Sequence, residues 1–570
     1  MSAETVGGHT HHADSHAFAL PTLPEAVDIF DTTLRDGSQQ EGLSLSVDDK
    51  LRVAEQLDHL GVTFIEGGWP GANPKDEEFF ARAPAELRLS TATLVAFGST
   101  RRAGIKAEDD DVLRHLVKAN TQAVCIVAKA SEMHVTEALR TTMDEAVRMA
   151  SDSVGFLREN GLRVFFDAEH FFDGYRDNPE FSLRVLRAAE EAGVEALVLC
   201  DTNGGAMPHD VERIVAGIAG DFSCQVGVHF HNDSGCAVAN SIAAVRAGAT
   251  HVQGCINGYG ERTGNADLSA AIPNLSLKLN IRTIPADRLE RLTPVSHHIA
   301  ELVNISPNPQ QPYVGVAAFA HKAGLHTSAI ARRRDAYEHI PPDLVGNGTR
   351  FVVSEMAGRS TLAFKCEELG LELDSEAISG VLDTLKSLEH RGYHFEVADG
   401  SLELLLRRAT GWEPDFFELE SFRVIADHTD TSARNGRHLT EATVKVTVAD
   451  ARVLSTAEGN GPVNALDSAL RQAIGASYPV LAGIHLVDYR VRVLDTGRGT
   501  GAVTRVLIDT TDGEVVWTTI GVSENIIEAS WQALFDSIVY GLVHAGSPSA
   551  GSPSAGSPSA GAGAAVAEER

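Results

Sequence analysis

His229 and His231, separated by one residue, are the pair of side chains whose type and spacing indicate chemistry most directly in this sequence. They follow the apolar run 226–228, which predicts a β-strand. Side chains alternate faces along a strand, so both imidazoles project on the same side, where they can bind one cation. A His-x-His pair on its own is more often hydrogen-bonded or solvated than metal-bound. Whether this pair binds a metal therefore depends on which other side chains the fold places around it.

Short apolar or β-branched runs alternate with helix-period segments between about residues 27 and 280. The runs predict eight strands, at 27–31, 62–67, 89–97, 122–128, 162–168, 196–200, 225–230 and 250–256. Amphipathic segments between them predict helices, including 48–60, 142–160, 180–192, 210–219 and 235–247. This pattern predicts an α/β fold, a (β/α)₈ TIM barrel over residues 25–284, with a doubly wound open sheet as the lesser alternative.

The predicted barrel locates a candidate active site, because the active sites of such barrels lie at the carboxyl ends of the strands and in the loops that follow. Any one polar segment there can be a helix cap or a turn. Six of them together predict that reactive side chains converge on one mouth of the barrel. These segments are Asp31-Thr-Thr-Leu-Arg-Asp-Gly-Ser-Gln39, Glu66-Gly-Gly-Trp69, Asp167-Ala-Glu169-His170, Asp201-Thr-Asn-Gly204, His229-x-His231-Asn-Asp233 and Asn257-Gly-Tyr-Gly-Glu-Arg-Thr-Gly-Asn265.

Four residues of these segments form a candidate metal site. His229 and His231 supply nitrogens, Asp36 supplies a carboxylate oxygen, and Asn265 offers an amide oxygen. Mixed nitrogen and oxygen ligation suits a divalent Mg, Mn, Zn or Co ion, and the choice among them stays open. The absence of thiolate ligands disfavours a closed structural zinc site. An open site is typical of a cation that binds a chelating substrate.

The rest of the chain predicts accessory modules. Residues 285–415 are mainly helical in pattern and predict helical linker subdomains. Residues 416–543 contain two similar halves, each with two strands followed by a helix, which predict a duplicated α+β domain. The predicted elements are strands 443–448 and 453–456 with helix 463–474, and strands 504–509 and 515–519 with helix 525–540. The polar opening, 1–24, and the low-complexity end, 544–570, predict disordered tails.

Composition narrows the classes of partner. A formal net charge of −30 opposes binding to nucleic acids. No apolar stretch is long enough to span a bilayer, and the first residues lack a basic start followed by an apolar core. We therefore expect a cytoplasmic protein without a membrane partner. The six cysteines show no regular spacing, as expected for reduced thiols.

Three of the strand-end segments carry a family resemblance. The segments that begin at Asp31, His229 and Asn257 resemble those of the 2-isopropylmalate, homocitrate and citramalate synthase family, and the resemblance runs over residues 27–543. It implies a metal-dependent acyltransferase that condenses acetyl-CoA with a 2-oxo acid. Residues 416–543 resemble the dimeric allosteric regulatory domain of these synthases. This implies a homodimer or higher homo-oligomer and an amino-acid effector, isoleucine or leucine.

Two further segments resemble the citramalate synthase branch of the family. They are Ile65-Glu-Gly-Gly-Trp-Pro-Gly-Ala-Asn-Pro-Lys-Asp76 and Tyr337-Glu-His-Ile-Pro-Pro-Asp-Leu-Val-Gly-Asn347. The branch implies that pyruvate is the 2-oxo acid and that the product serves isoleucine biosynthesis. The alternative is the isopropylmalate branch, which uses the bulkier 2-oxoisovalerate in leucine biosynthesis.

The resemblance also implies roles for individual residues. Arg35 binds the substrate and stabilises negative charge on its keto oxygen, and Thr202 binds its carboxylate. Glu169 is implicated in acid/base chemistry, with a supporting contact to a metal ligand as its structural alternative. His326 and Tyr337 are candidates for acting in the active site of a neighbouring subunit. Their alternative is packing within the linker.

Two other readings compete with a condensing enzyme. Lyases such as 3-hydroxy-3-methylglutaryl-CoA lyase and pyruvate carboxyltransferase domains share the barrel and metal site, but the duplicated module disfavours them. A catalytically silent amino-acid sensor is a different class of protein. The intact set of predicted ligands argues against it, because a silent sensor does not need them.

Overall fold

The structure is a computed structural model that describes residues 23–322, 326, 329–330, 332–353, 358–426, 440–494, 499 and 501–546. The predicted tails, 1–24 and 544–570, lie almost wholly outside the described residues. The chain divides into two compact units. One comprises Met1–Phe319 and Glu338–Thr349, and the other comprises Ala320–Tyr337 and Arg350–Arg570.

The first unit contains a closed barrel of eight parallel strands that pair in chain order. The predicted TIM barrel is confirmed, and the open-sheet alternative is wrong, because the first strand pairs with the eighth along its whole length. The strands are β1 Asp28–Asp31, β2 Phe64–Gly68, β3 Thr93–Ser99, β4 Ala123–Lys129, β5 Arg163–Glu169, β6 Ala196–Asp201, β7 Gln225–Phe230 and β8 His251–Gly254.

Helices connect these strands and bury their apolar faces in one large core. The first of them begins at a capping box, in which the Ser46 hydroxyl accepts from the Asp49 amide and the Asp49 carboxylate accepts from the Ser46 amide. The helices of this unit are α1 Val47–Leu60, α2 Pro74–Glu86, α3 Asp111–Lys118, α4 Met143–Glu159, α5 Phe171–Asp177, α6 Pro179–Glu191, α7 Pro208–Ile218, α8 Ala237–Arg246, α9 Leu268–Pro273 and α10 Leu292–Leu302.

The third strand begins later than the sequence predicts, at Thr93 rather than residue 89. The carboxylate of Asp58, on α1, accepts hydrogen bonds from the backbone amides of Ser90, Thr91 and Ala92. These amides are therefore satisfied by a side chain rather than by a neighbouring strand. An apolar, β-branched run alone does not reveal such a competitor.

Aromatic side chains fill the barrel below the strand ends. Phe165 packs edge-to-face against Phe30 and Phe64, with ring centroids 5.4 and 4.7 Å apart. All three are buried, together with Val95 and Cys125. The barrel is thus closed by apolar packing in its lower part. Polar side chains at the carboxyl ends of the strands lie above this layer.

The second unit contains the predicted duplication. Each half is a three-stranded antiparallel sheet followed by a helix, whereas the sequence predicted two strands in each half. The additional strands carry a register shift, between Leu419 and Ser421 in one and between Leu486 and Asp488 in the other. Such a bulge interrupts the period-two alternation by which a strand is recognised.

The strands of this unit are β9 Ala320–His321, β10 Arg350–Phe351, β11 Glu418–Ala426, β12 Thr440–Val448, β13 Ala451–Gly459, β14 His485–Val493, β15 Thr504–Thr511 and β16 Val516–Ser523. The helices of this unit that lie wholly within the described residues are α11 Arg359–Glu368, α12 Ser375–His390, α13 Asp399–Ala409, α14 Pro462–Ile474 and α15 Ile526–His544.

Candidate active site

Three of the predicted metal ligands meet at the mouth of the barrel. His229 is the penultimate residue of β7, His231 directly follows the strand, and Asp36 lies in the loop after β1. The Nε2 atom of His229 is 3.2 Å from Oδ2 of Asp36, and Nε2 of His231 is 3.8 Å from the same oxygen. The three side chains are buried, and one donor atom from each lies within 4.8 Å of the others. Together they can contact a single cation.

Asn265, the fourth predicted ligand, is held beside His231 by an isolated antiparallel backbone bridge. Its Nδ2 donates to the carbonyl of Tyr259 at 2.9 Å, and its buried Oδ1 has no hydrogen-bond partner. The loop after β8 passes close to the side-chain amide of Asn265 at Gly260. There φ is +144°, and a Cβ would lie 2.3 Å from Nδ2 of Asn265. A buried oxygen without a partner is costly in a folded protein. The unpartnered Oδ1 of Asn265 therefore fits the role of a metal ligand.

A hydrogen-bond chain behind His229 determines which of its nitrogens is available. Nδ1 of His229 lies 2.8 Å from Oε1 of Gln253, and Nε2 of Gln253 donates to Oδ1 of Asp167 at 2.9 Å. Because the NH₂ group of Gln253 donates to the Asp167 carboxylate, its carbonyl oxygen is the atom that faces Nδ1 of His229. Nδ1 therefore carries the proton of the imidazole ring. The lone pair of Nε2 then faces Asp36. This is the arrangement that a metal-binding histidine needs.

Arg35 places a partly buried positive charge beside Asp36. Its Nε donates to Glu66 Oε2 at 2.5 Å, and its guanidinium carbon lies 3.8 Å from the centroid of the Phe97 ring. Burial acts to raise the pKa of Asp36, but the positive charge of the neighbouring Arg35 lowers it far below its usual value. Asp36 is therefore an anion, as a metal ligand must be.

Two other carboxylates lie deeper in the barrel. Burial raises the pKa of Glu66 to about 7 and also raises the pKa of Asp167. Glu66 anchors Arg35, while Asp167 anchors Gln253 behind His229. Both carboxylates support the side chains that line the site.

Glu169, the predicted acid/base residue, is at the end of β5. Its Oε2 forms an ion pair with Nζ of Lys129, and its Oε1 lies 3.9 Å from Nε2 of His170. Lys129 is the register partner of Glu169 on the adjacent strand, β4. The ion pair holds the carboxylate at the cavity wall.

Thr202, the predicted ligand of the substrate carboxylate, follows β6. Its Oγ1 accepts a hydrogen bond from the backbone amide of His170 at 2.9 Å. Because the hydroxyl acts as acceptor in that bond, its own hydrogen is free to be donated. Thr202 can therefore donate to an anionic group in the cavity.

One cavity of about 580 Å³ brings these groups together. This is within the size range of small-molecule sites. Of the side chains proposed from the sequence, it is lined by Arg35, Asp36, Glu169, Thr202, His229 and His231.

Comparison with known proteins identifies the family. The HMGL-like family matches residues 26–295, a homocitrate synthase post-HMGL domain-like family matches 313–393, and a LeuA allosteric (dimerisation) domain matches 396–542. An (R)-citramalate synthase of Streptomyces coelicolor is 52% identical over 531 residues, which cover 93% of this chain and 99% of that protein. The chain belongs to the (R)-citramalate synthase family. The predicted branch of the wider family is thereby confirmed.

Two other relatives extend this comparison. An (R)-citramalate synthase of Aquifex aeolicus is 49% identical, over 91% of this chain and 98% of that protein. A probable 2-isopropylmalate synthase of Methanopyrus kandleri is 33% identical, over 90% of this chain and 97% of that protein. Within the described part of the chain, helices of the length and apolarity needed to cross a bilayer are absent.

The two family residues predicted to act across a dimer interface, His326 and Tyr337, belong to the second unit. Their rings stack on each other, with centroids 4.0 Å apart and planes inclined by 26°. Tyr337 is 48% exposed. The structure thus brings the two side chains together, and their action in a neighbouring subunit stays a prediction.

Sequence reasoning missed Gln253 and Lys129. Gln253 lies within a short barrel strand and shows no motif of its own, and Lys129 resembles any lysine at a strand end. The register of a barrel provides the missing signal. Gln253 is paired with His229, and Lys129 with Glu169.

Proposed function

We propose that this protein condenses acetyl-CoA with pyruvate and water to form (R)-citramalate and CoA. The observation that carries the proposal is that five relatives, 44–52% identical over at least nine-tenths of this chain, bear the name of that activity. The cavity supports it with chemistry suited to a small 2-oxo acid. The isopropylmalate alternative has weaker support, because the probable 2-isopropylmalate synthase described above is 33% identical, against 44–52% for these five relatives.

The residues at the barrel mouth fit a divalent cation. Asp36, His229 and His231 present converging donors, and the buried Oδ1 of Asn265 lacks any other partner. When bound there, a Mg, Mn, Zn or Co ion supplies Lewis-acid polarisation of the keto group. The donor set does not discriminate among these ions.

Side chains of the protein bind the substrate, stabilise the developing charge and remove the proton. Arg35 stabilises the negative charge that develops on the keto oxygen as the new carbon–carbon bond forms. The hydroxyl of Thr202 donates to the substrate carboxylate and orients the keto carbon. The carboxylate of Glu169 removes a proton from the acetyl methyl group of acetyl-CoA. The resulting enolate attacks the keto carbon, and the alkoxide formed on the keto oxygen takes up a proton, which balances the one removed from the methyl group, to become the hydroxyl group of the product.

Hydrolysis completes the reaction. Water adds to the thioester carbonyl of the condensed intermediate, and the carbon–sulfur bond breaks to release CoA and the free carboxylate. His326 and Tyr337, which stack on each other, are proposed to act in the active site of a neighbouring subunit. This assignment rests on the family resemblance.

The proposed activity is tested by measuring CoA release from acetyl-CoA with four 2-oxo acids separately, with and without divalent metal. We expect metal-dependent turnover with pyruvate and far less with 2-oxobutyrate, 2-oxoisovalerate and 2-oxoglutarate. If 2-oxoisovalerate is turned over and pyruvate is not, the protein has the isopropylmalate synthase activity instead. Absence of turnover with all four acids would favour the silent sensor.

We further propose that the carboxyl-terminal domain binds isoleucine or leucine and that the protein functions as a homo-oligomer. The match to a LeuA allosteric (dimerisation) domain supports both statements. A cavity of about 680 Å³ lies beside the start of α14. It offers apolar Leu481 and Ile484 together with the charged pair Asp467 and Arg471, whose nearest atoms are 2.8 Å apart. These groups suit a zwitterion with an aliphatic side chain.

Filling this cavity should remove the inhibition. Ala482 lines it and is exposed, so Ala482→Trp adds a large side chain without disturbing the core. We expect the variant to keep its uninhibited kcat while isoleucine and leucine lose their effect. Ala476→Trp, at an exposed alanine outside the cavity, is the matched control and should stay sensitive. Equal sensitivity of both variants would place the effector elsewhere.

A further inference from the structure

The loop after β2 carries Trp69 to the cavity that holds the candidate metal ligands. Two contacts with Asp76, in α2, fix this loop. The Trp69 amide donates to Asp76 Oδ2 at 2.9 Å, and Gly68 adopts φ +145°, where a Cβ would lie 2.7 Å from the Asp76 carboxylate carbon. Asp76 is itself paired with the buried Lys50 of α1. These contacts therefore fix the backbone position of Trp69.

The indole ring of Trp69 continues an apolar wall that begins at Arg35. The Arg35 guanidinium lies over the Phe97 ring, and the Trp69 ring packs edge-on against Phe97 with centroids 5.3 Å apart. Val127, on β4, packs against the same cluster and also lines the cavity. The segments around β2, β3 and β4 thus supply three adjoining apolar side chains to the site, next to the polar Ser99, Arg101 and Lys129 that also line the cavity.

The groups proposed to bind the metal and the substrate carboxylate come from other strands of the barrel. The candidate metal ligands lie at or just after the carboxyl ends of β1, β7 and β8, and Thr202 follows β6. The keto carbon of a 2-oxo acid carries an oxygen, a carboxylate and one organic substituent. If the first two face the polar groups, the substituent faces the wall formed by Trp69, Phe97 and Val127.

We propose that Trp69, held in place by Asp76, is a specificity-determining residue that limits the 2-oxo acid substituent to a size near that of methyl. This inference rests on the proposed function and deepens it. Trp69 has the largest side chain of the wall, and its backbone cannot withdraw while Gly68 and Asp76 remain in contact. A branched substituent must therefore displace the indole ring, whereas the methyl group of pyruvate need not.

The experiment compares Trp69→Leu with the unaltered protein on pyruvate, 2-oxobutyrate and 2-oxoisovalerate. We expect the ratio of kcat/KM for 2-oxoisovalerate to that for pyruvate to rise roughly 10- to 100-fold, the range set by a few methylene-sized contacts. The ratio for 2-oxobutyrate should rise less. Trp69→Phe, which removes less volume, should give an intermediate ratio and carries the test if the leucine variant does not fold.

Binding supplies a second readout that does not need turnover. Calorimetric titration of each 2-oxo acid, with Mg²⁺ and without acetyl-CoA, should show tighter 2-oxoisovalerate binding to Trp69→Leu than to the unaltered protein. Trp412→Leu is the control, because Trp412 is also half-buried but lies in the second unit. It should leave every ratio unchanged.

Two results would overturn the inference. One is a parallel loss of kcat/KM on all three acids in Trp69→Leu, which would make the indole ring structural. The other is an unchanged ratio in folded Trp69→Leu and Trp69→Phe, which would put the size limit on another side chain. Failure of the proposed function is distinguishable from both, because it would appear as an absence of pyruvate turnover in the unaltered protein.

Discussion

His229→Ala should abolish turnover and metal binding while the barrel stays folded. The variant removes a nitrogen ligand that Gln253 holds in the correct tautomer, 3.2 Å from Asp36. A bound cation contributes several kcal/mol to stabilising charge in the transition state, so kcat should fall by roughly 10³-fold or more. Metal content after dialysis and the far-ultraviolet circular dichroism spectrum provide the two independent measurements.

The control for this variant is His209→Ala. His209 is an exposed histidine at the start of α7, with 79% of its side chain accessible, and it should retain both activity and metal. Undiminished turnover of His229→Ala would remove the metal hypothesis. Loss of the barrel's circular dichroism signal would instead show that His229 is required for folding, which contradicts the role proposed for it.

Glu169→Gln should lower kcat by roughly 10²- to 10⁴-fold, the usual contribution of a positioned acid or base. Glutamine keeps the size of the side chain and can still contact Lys129, but it cannot accept a proton at physiological pH. We expect KM for pyruvate to change little, because the groups proposed to bind it are untouched. Exchange of the acetyl-CoA methyl hydrogens with deuterated water should slow in parallel with kcat.

Glu137→Gln is the matched control, at an exposed glutamate outside the cavity, and it should behave like the unaltered protein. If Glu169→Gln slows turnover but leaves methyl hydrogen exchange intact, another group is the base. A kcat close to that of the unaltered protein would assign Glu169 the supporting role that the sequence left open.

The sequence predicted the barrel well because its signals are local. The seventh strand was predicted at 225–230 and observed at Gln225–Phe230, since its apolar pattern has no competing contact. The third strand was predicted too early, because the decisive partner of its first amides is Asp58 on a distant helix. The strands β11 and β14 were missed because bulges interrupt their alternation.

The candidate site divides in the same way. The sequence by itself determined the ligand types, the placement of His229 and His231 on one side of a strand, and the order of motifs that the family shares. Only the tertiary structure showed that Gln253 orients His229, that Lys129 pairs with Glu169, and that Trp69 joins the apolar wall. The physical reason is that these contacts join different strands. Their existence depends on barrel closure and strand register, which no single segment encodes.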